Sequence, residues 1–118
     1  MKKCILVWQI PTIEGEHYNP VMYAIYIRKA RKFANMLNEY FKGSNMDWEC
    51  ILDKSACNHN EIFSNQYQLA VFVPGAETRQ WLYKKDLQIM RSNTYYLDYM
   101  EYNSINLDKL IKFIEKIF

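Results

Sequence analysis

The sequence predicts an α/β fold in which helices cover both faces of a four-stranded parallel sheet, built as a single domain of 118 residues. Segments with the composition of strands alternate with helical segments, which is the pattern of parallel sheets. The first strand segment is an almost continuous apolar run, as expected of a strand buried on both faces. Half of the residues are hydrophobic, and the chain is long enough for one well-filled core.

The first predicted strand covers residues 3–9, and the connection that follows leads to a long helix over residues 20–42. Asn19 is the expected N-cap and Pro20 the expected first helical residue, a combination favoured at helix starts. Apolar residues recur at spacings of three and four along one helix face, which we expect to meet the sheet. These residues are Met22, Tyr26, Ala30, Phe33, Leu37 and Phe41.

The middle of the chain adds two strands. Gly43 is expected at the C′ position that ends the long helix. A second strand is predicted over residues 47–52, followed by a polar loop and one or two helical turns over residues 60–66. The clearest strand is the apolar run of residues 68–73, which the turn pair Pro74-Gly75 closes.

The last third of the chain contains a helix, a strand and a final helix. Helical composition covers residues 77–91, and a fourth strand is predicted over residues 94–99. The last helix is predicted over residues 106–118 with Asn106 as its cap. Right-handed crossovers through these elements give a small flavodoxin-like three-layer sandwich, for which we predict strand order 2-1-3-4.

This strand order puts the topological switch point between strands 1 and 3, where open α/β sheets bind ligands at the carboxyl ends of their strands. The loops expected at this edge are residues 9–19, 53–60, 74–79 and 98–104. We therefore expect a partner protein or a small molecule to bind there.

Composition narrows the class of partner. The net charge of +2 provides no global field for nucleic acid or an anionic membrane. No segment approaches the roughly 18 apolar residues that a membrane span needs, and the amino terminus does not resemble a signal peptide. Three cysteines without a C-x-x-C pair favour a reducing, cytoplasmic location. We expect no cofactor, and the ten tyrosines leave a homo-oligomer open.

Three segments resemble the IIB components of lactose/cellobiose-type sugar phosphotransferase systems. They are the opening strand of residues 1–7, the strand and proline turn of residues 67–75, and the tyrosine-containing turn into the last helix, residues 99–110. The resemblance implies a domain of this size with a four-stranded parallel sheet.

The chain departs from that family at its catalytic loop. The family places a phosphorylated cysteine directly after the first strand, in a loop of small residues whose N–H groups surround the phosphoryl oxygens. Trp8, Gln9 and Ile10 stand at the matching positions, and Cys4 lies too early, within the strand. We therefore expect a IIB-like binding module that lacks cysteinyl phosphotransfer.

A second resemblance leads to the alternative function. Pro74-Gly75-Ala76-Glu77 is similar to the turn that precedes the catalytic glutamate of nucleoside deoxyribosyltransferase-like enzymes. This similarity implies N-glycosyl transfer or hydrolysis with Glu77 as the nucleophile. The other interpretation of Glu77 is an ordinary acid in the first turn of a helix.

Histidine and arginine supply the remaining candidates for chemistry. His17 lies near Glu14 in the first connection, where it could accept a phosphoryl group, act as a base, or simply be exposed. Arg79 could clamp an anion. The residues predicted to bind a ligand are Gln9, Thr12, Glu14, His17, Tyr18, Arg79 and Tyr102.

Two further groups of residues could form a site. Aromatic residues could line one pocket at the sheet edge and hold a planar ligand, or could pack in the core. They are Trp8, Tyr18, Trp81, Tyr99 and Tyr102. A metal site could be drawn from His17, His59, Cys57, Asp53 and Glu61, but the spacing lacks the tight ligand pairs of zinc sites. We predict no metal site.

Overall fold

The computed structural model describes residues 1–9, 20–55, 58–76 and 93–118, without the side chains of residues 59 and 60. The strands are β1 (Lys2–Val7), β2 (Trp48–Leu52), β3 (Leu69–Phe72) and β4 (Asn93–Tyr96). The helices are α1 (Pro20–Gly43), α2 (His59–Ile62), α3 (Tyr99–Asn103) and α4 (Asp108–Ile117). The helix predicted over residues 77–91 and the N-cap Asn19 lie outside the described residues.

The four strands form one parallel sheet in the order β2-β1-β3-β4, which confirms the predicted fold class and strand order. Strands β2 and β3 pair with opposite sides of β1, so the switch point lies between β1 and β3. The carboxyl ends of these two strands meet there, with Val7 opposite Phe72.

Side chains of β1 are buried on both faces of the sheet, as the apolar run predicts. Cys4 and Leu6 belong to a large core with α1 and α4. Ile5 and Val7 belong to a smaller core on the opposite face, which includes Ile62 at the end of α2. The sheet is therefore the middle layer of a small three-layer α/β fold.

The two cysteines of the larger core lie side by side. Cys4 of β1 is in register with Cys50 of β2, and both are free and buried. A hydrogen bond with Cys4 and burial raise the pKa of the Cys50 thiol well above its ordinary value. Both residues thus behave as the small apolar side chains that their sequence context indicates.

The free edge of β2 is covered by a side chain from α1. The Asn38 amide donates to the Cys50 carbonyl oxygen at 3.0 Å and accepts from the Cys50 N–H at 2.7 Å. One side chain thus supplies both bonds that a further strand would make there. Edge strands are sites of unwanted pairing, and this contact closes part of that edge.

The end of α1 differs from the prediction. Gly43 is still helical, and the left-handed residue is Asn45 with φ 55°. The Met46 N–H bonds to the Phe41 carbonyl at 2.9 Å, and the Asn45 N–H to Lys42 at 3.3 Å, which is a Schellman motif. Asparagine tolerates this conformation, and the chain reversal at Asn45 lets Met46 pack against the core.

The segment from β4 to α4 also differs from the prediction. The strand ends at Tyr96, and the expected loop of residues 98–104 contains the short helix α3. Helix α4 begins close to its predicted start. Its N-cap is Leu107, which makes no side-chain capping bond, and not the predicted Asn106. The Asn106 side chain still accepts a hydrogen bond from the Asp108 N–H at 3.1 Å, from one position further out.

Helix α1 is much longer than the strands it covers. Its 24 residues span about 36 Å, whereas the six residues of β1 span about 20 Å. Its amino-terminal part therefore extends past the carboxyl edge of the sheet. Met22 and Tyr26, predicted to face the core, are 41% and 36% exposed for this reason, and burial begins at Ala30. No helix among the described residues is long and apolar enough to cross a membrane.

A candidate ligand pocket at the carboxyl edge of the sheet

A pocket lies at the switch point, below the part of α1 that extends past the sheet. Its base is formed by Trp8, which follows β1, and by Val73 and Pro74, which follow β3. The Val73 N–H bonds to the Val7 carbonyl at 3.1 Å, so the two strand ends are fixed to each other. Gly75, with φ 97°, then turns the chain away in a conformation that favours glycine.

Trp8 is held in place on two sides. Its indole N–H donates to the Asp53 carbonyl at 2.8 Å, which ties the end of β1 to the end of β2. Its ring meets Tyr23 of α1 edge-on, with centroids 5.1 Å apart. Trp8 is only 5% exposed. The residue that follows β1 is thus a fixed aromatic surface.

Two helices form the walls. Helix α1 contributes Ile25, Tyr26 and Lys29, and α3 contributes Tyr99, Tyr102 and Asn103. These residues and the base bound a cavity of about 230 Å³. The described lining is aromatic and aliphatic with two polar side chains, which is the usual composition of small-molecule sites.

A capping box fixes the orientation of α3. The Asp98 side chain accepts from the Glu101 N–H at 2.7 Å, and the Glu101 carboxylate accepts from the Asp98 N–H at 2.9 Å. Glu101 is 4% exposed, and its other oxygen accepts from the Tyr95 hydroxyl of β4. Burial and this bond raise the pKa of Tyr95. Helix α3 is therefore anchored to the sheet, and Tyr102 with it.

Tyr102 and Lys29 meet across the pocket. Burial raises the pKa of Tyr102 to about 12, so its phenol is neutral at physiological pH. The Lys29 ammonium lies 5.1 Å from the centroid of the Tyr102 ring and donates to the Asn103 side-chain oxygen. The lysine thus links α1 to α3 through a cation–π contact and a hydrogen bond.

The structure brings together part of the aromatic group expected from the sequence. Trp8, Tyr99 and Tyr102 line the same pocket. Tyr18 and Trp81 lie outside the described residues. Tyr102 is the one predicted ligand-binding residue in the described lining, because Gln9 is half-buried beyond Trp8 and does not line it.

The other candidates lie outside the described residues. They are Thr12, Glu14, His17, Tyr18, Glu77 and Arg79. The glycosyl-transfer alternative depends on Glu77 and therefore stays a prediction. Within the described residues, no group of three or more histidine, cysteine, aspartate or glutamate side chains could hold a metal ion. Among the residues from which a metal site could be drawn, His17, Cys57 and the side chain of His59 lie outside the described part of the chain.

Sequence reasoning missed Lys29 and Asn103. Lys29 belongs to a basic run that indicates an ordinary solvated helix face, and its partner Asn103 is 74 positions away in sequence. A signal for α3 was present in the sequence. Asp98 followed by Glu101 has the spacing of a capping box, which would have placed a helix start in the expected loop.

Comparisons of the chain with protein-family models, with curated proteins and with solved structures found no match.

Proposed function

We propose that the protein is a binding module that holds a small planar ligand in the pocket between α1 and α3. The supporting observation is the set of rings from Trp8, Tyr99 and Tyr102 around one cavity at the switch point. The volume of about 230 Å³ lies below the roughly 300–1,000 Å³ of sites for drug-sized ligands. A ligand with a single ring suits this space.

We also propose that this domain is related to the IIB family and lacks its phosphorylated cysteine. In that family the position after the first strand carries the phosphoryl group, whereas here Trp8 stands there, with its N–H bonded to Asp53. An indole is no nucleophile for phosphoryl transfer, and a fixed ring is a suitable surface for stacking. We also propose a cytoplasmic location, which the free thiols of Cys4 and Cys50 support.

The test is a titration of the isotope-labelled protein with benzoate and with benzamide, followed by the indole N–H resonances. We expect a saturable shift of the Trp8 resonance with at least one probe. The Trp48 indole packs against Phe118 near the amino-terminal edge of the sheet and lines a separate cavity with Lys2, so it reports binding away from the candidate pocket. A shift of Trp8 without a shift of Trp48 assigns the probe to the candidate pocket.

A pair of exposed tyrosines provides the matched variants. Tyr99→Ala removes a pocket wall that is 65% exposed, so the core is untouched and binding should weaken. Tyr40→Ala removes an exposed tyrosine that does not line the described pocket, and binding should persist. The proposal fails if neither probe moves the Trp8 resonance, or if both variants bind as the unmodified protein does.

A further inference from the structure

We infer that the pocket selects a planar ligand carrying one carboxylate, which Lys29 and Asn103 bind together. This inference rests on the proposed function and specifies its ligand class. Lys29 is the single charged residue among the described residues that line the pocket. The site therefore presents an apolar, aromatic interior with one positive charge at its wall, which favours a ring with an anionic substituent.

The partners of Lys29 leave its charge available. Within the part of the chain that the structure describes, the ammonium contacts a neutral amide and a phenol ring, and no carboxylate. A neutral amide and a ring position a cation without neutralising it. A carboxylate of the ligand would therefore be the first negative charge to contact this ammonium within the described lining. Hydrogen bonds between charged groups are stronger than those between neutral groups.

The hydrogen bond to Asn103 determines which groups are free to meet the ligand. Because lysine can only donate, the Asn103 atom that it contacts is the side-chain oxygen. The Asn103 amide nitrogen remains a donor. An ammonium and an amide N–H side by side match the two oxygens of a carboxylate, so both groups serve as specificity-determining contacts.

Lys29 differs from its basic neighbours in this respect. Arg28 and Lys32 are exposed on the same helix, and neither lines the described pocket. Lys29 lies on the face that meets α3, one helical turn beyond Ile25. The basic run therefore provides a matched control, because a charge of the same sign can be removed beside the pocket without altering its lining.

The test uses benzoate, benzamide and benzamidine, three probes with the same ring and with negative, neutral and positive substituents. Dissociation constants are measured from the Trp8 indole resonance in the unmodified protein, in Lys29→Met and in Lys32→Met. We expect benzoate to bind at least about tenfold more tightly than benzamide, the gain typical of one charge-assisted contact, and benzamidine most weakly.

The variants separate this inference from the proposed function. Lys29→Met should remove the preference, so that the dissociation constants of benzoate and benzamide come within about twofold of each other, while Lys32→Met keeps the preference of about tenfold that one charged contact supplies. Equal binding of benzoate and benzamide to the unmodified protein overturns the inference and leaves the binding module standing. A preference that survives in Lys29→Met also overturns it. If no probe binds, both proposals fail.

Discussion

Replacing Asn38 with alanine is expected to destabilise the fold by opening the edge of β2. The substitution removes the two hydrogen bonds between the Asn38 amide and the backbone of Cys50. It leaves the helix backbone of α1 in place. The change therefore isolates the contribution of one side chain that acts in place of a fifth strand.

The magnitude follows from these two bonds. At about 1 kcal/mol each, their loss lowers the free energy of unfolding by about 2 kcal/mol. Alanine recovers about 0.5 kcal/mol through its higher helix propensity, for a net loss of about 1.5 kcal/mol. This is a lower limit, because Cys50 is 4% exposed and water reaches its freed groups poorly. The melting temperature of a chain of this size should fall by about 6 °C.

The assay is urea unfolding followed by circular dichroism, with Asn35→Ala as the matched control. Asn35 is exposed on the same helix, so that substitution should be neutral or raise stability by about 0.5 kcal/mol through helix propensity alone. The reasoning is refuted if the two variants unfold at the same urea concentration. Light scattering of partly unfolded samples should also rise in Asn38→Ala, since the edge of β2 is then open to pairing.

Three other outcomes follow from the site. Burial raises the pKa of Tyr102 to about 12 in the folded protein. The stability that this neutral phenol contributes is complete below the ordinary tyrosine pKa and is lost as the pH rises through the folded-state pKa. The stability of Tyr102→Phe should therefore decline less at alkaline pH, and its ultraviolet titration should lack one late tyrosine. A hydrogen bond from the backbone N–H of Glu101 lowers the pKa of Asp98. The stability that the ionised carboxylate contributes is present above the ordinary aspartate pKa and is lost as the pH falls through the folded-state pKa. Asp98→Ala should therefore melt at a lower temperature at neutral pH and show a weaker acid dependence, and an unchanged melting curve would contradict the capping role. Trp8→Phe removes the buried hydrogen bond to Asp53 and should cost about 1–3 kcal/mol in urea unfolding, whereas an unaltered midpoint would show that the indole does not tie β1 to β2.

Local patterns in the sequence predicted the sheet because each strand signal depends on nearby residues. The apolar runs of β1 and β3 identify buried strands, and the alternation with helices implies parallel pairing. The predicted strands were longer than the observed ones. Val73, for example, is buried and bonds to Val7 but lies beyond the end of β3, and an apolar run cannot show where pairing stops.

The candidate pocket was harder to predict because it depends on the length of α1 relative to the sheet and on contacts between residues far apart in the sequence. Periodicity assigned Met22 and Tyr26 to the core face, yet periodicity does not reveal that the sheet ends beneath the helix. Lys29 and Asn103 meet only after folding. Trp8 and Tyr102 could be predicted to lie near each other because Trp8 follows β1 and Tyr102 lies in the helix after β4. The carboxyl ends of parallel strands share one edge of the sheet, so topology alone brings these residues to the same edge.

The unequal lengths of α1 and the sheet divide one helix into two segments under different demands. From Ala30 onward, substitutions must satisfy the packed layer beneath the helix. Ahead of that point, Ile25, Tyr26 and Lys29 line the pocket wall. Substitutions in the first turns can therefore alter the lining of the pocket while most of the core contacts of α1, which lie in its later turns, are kept.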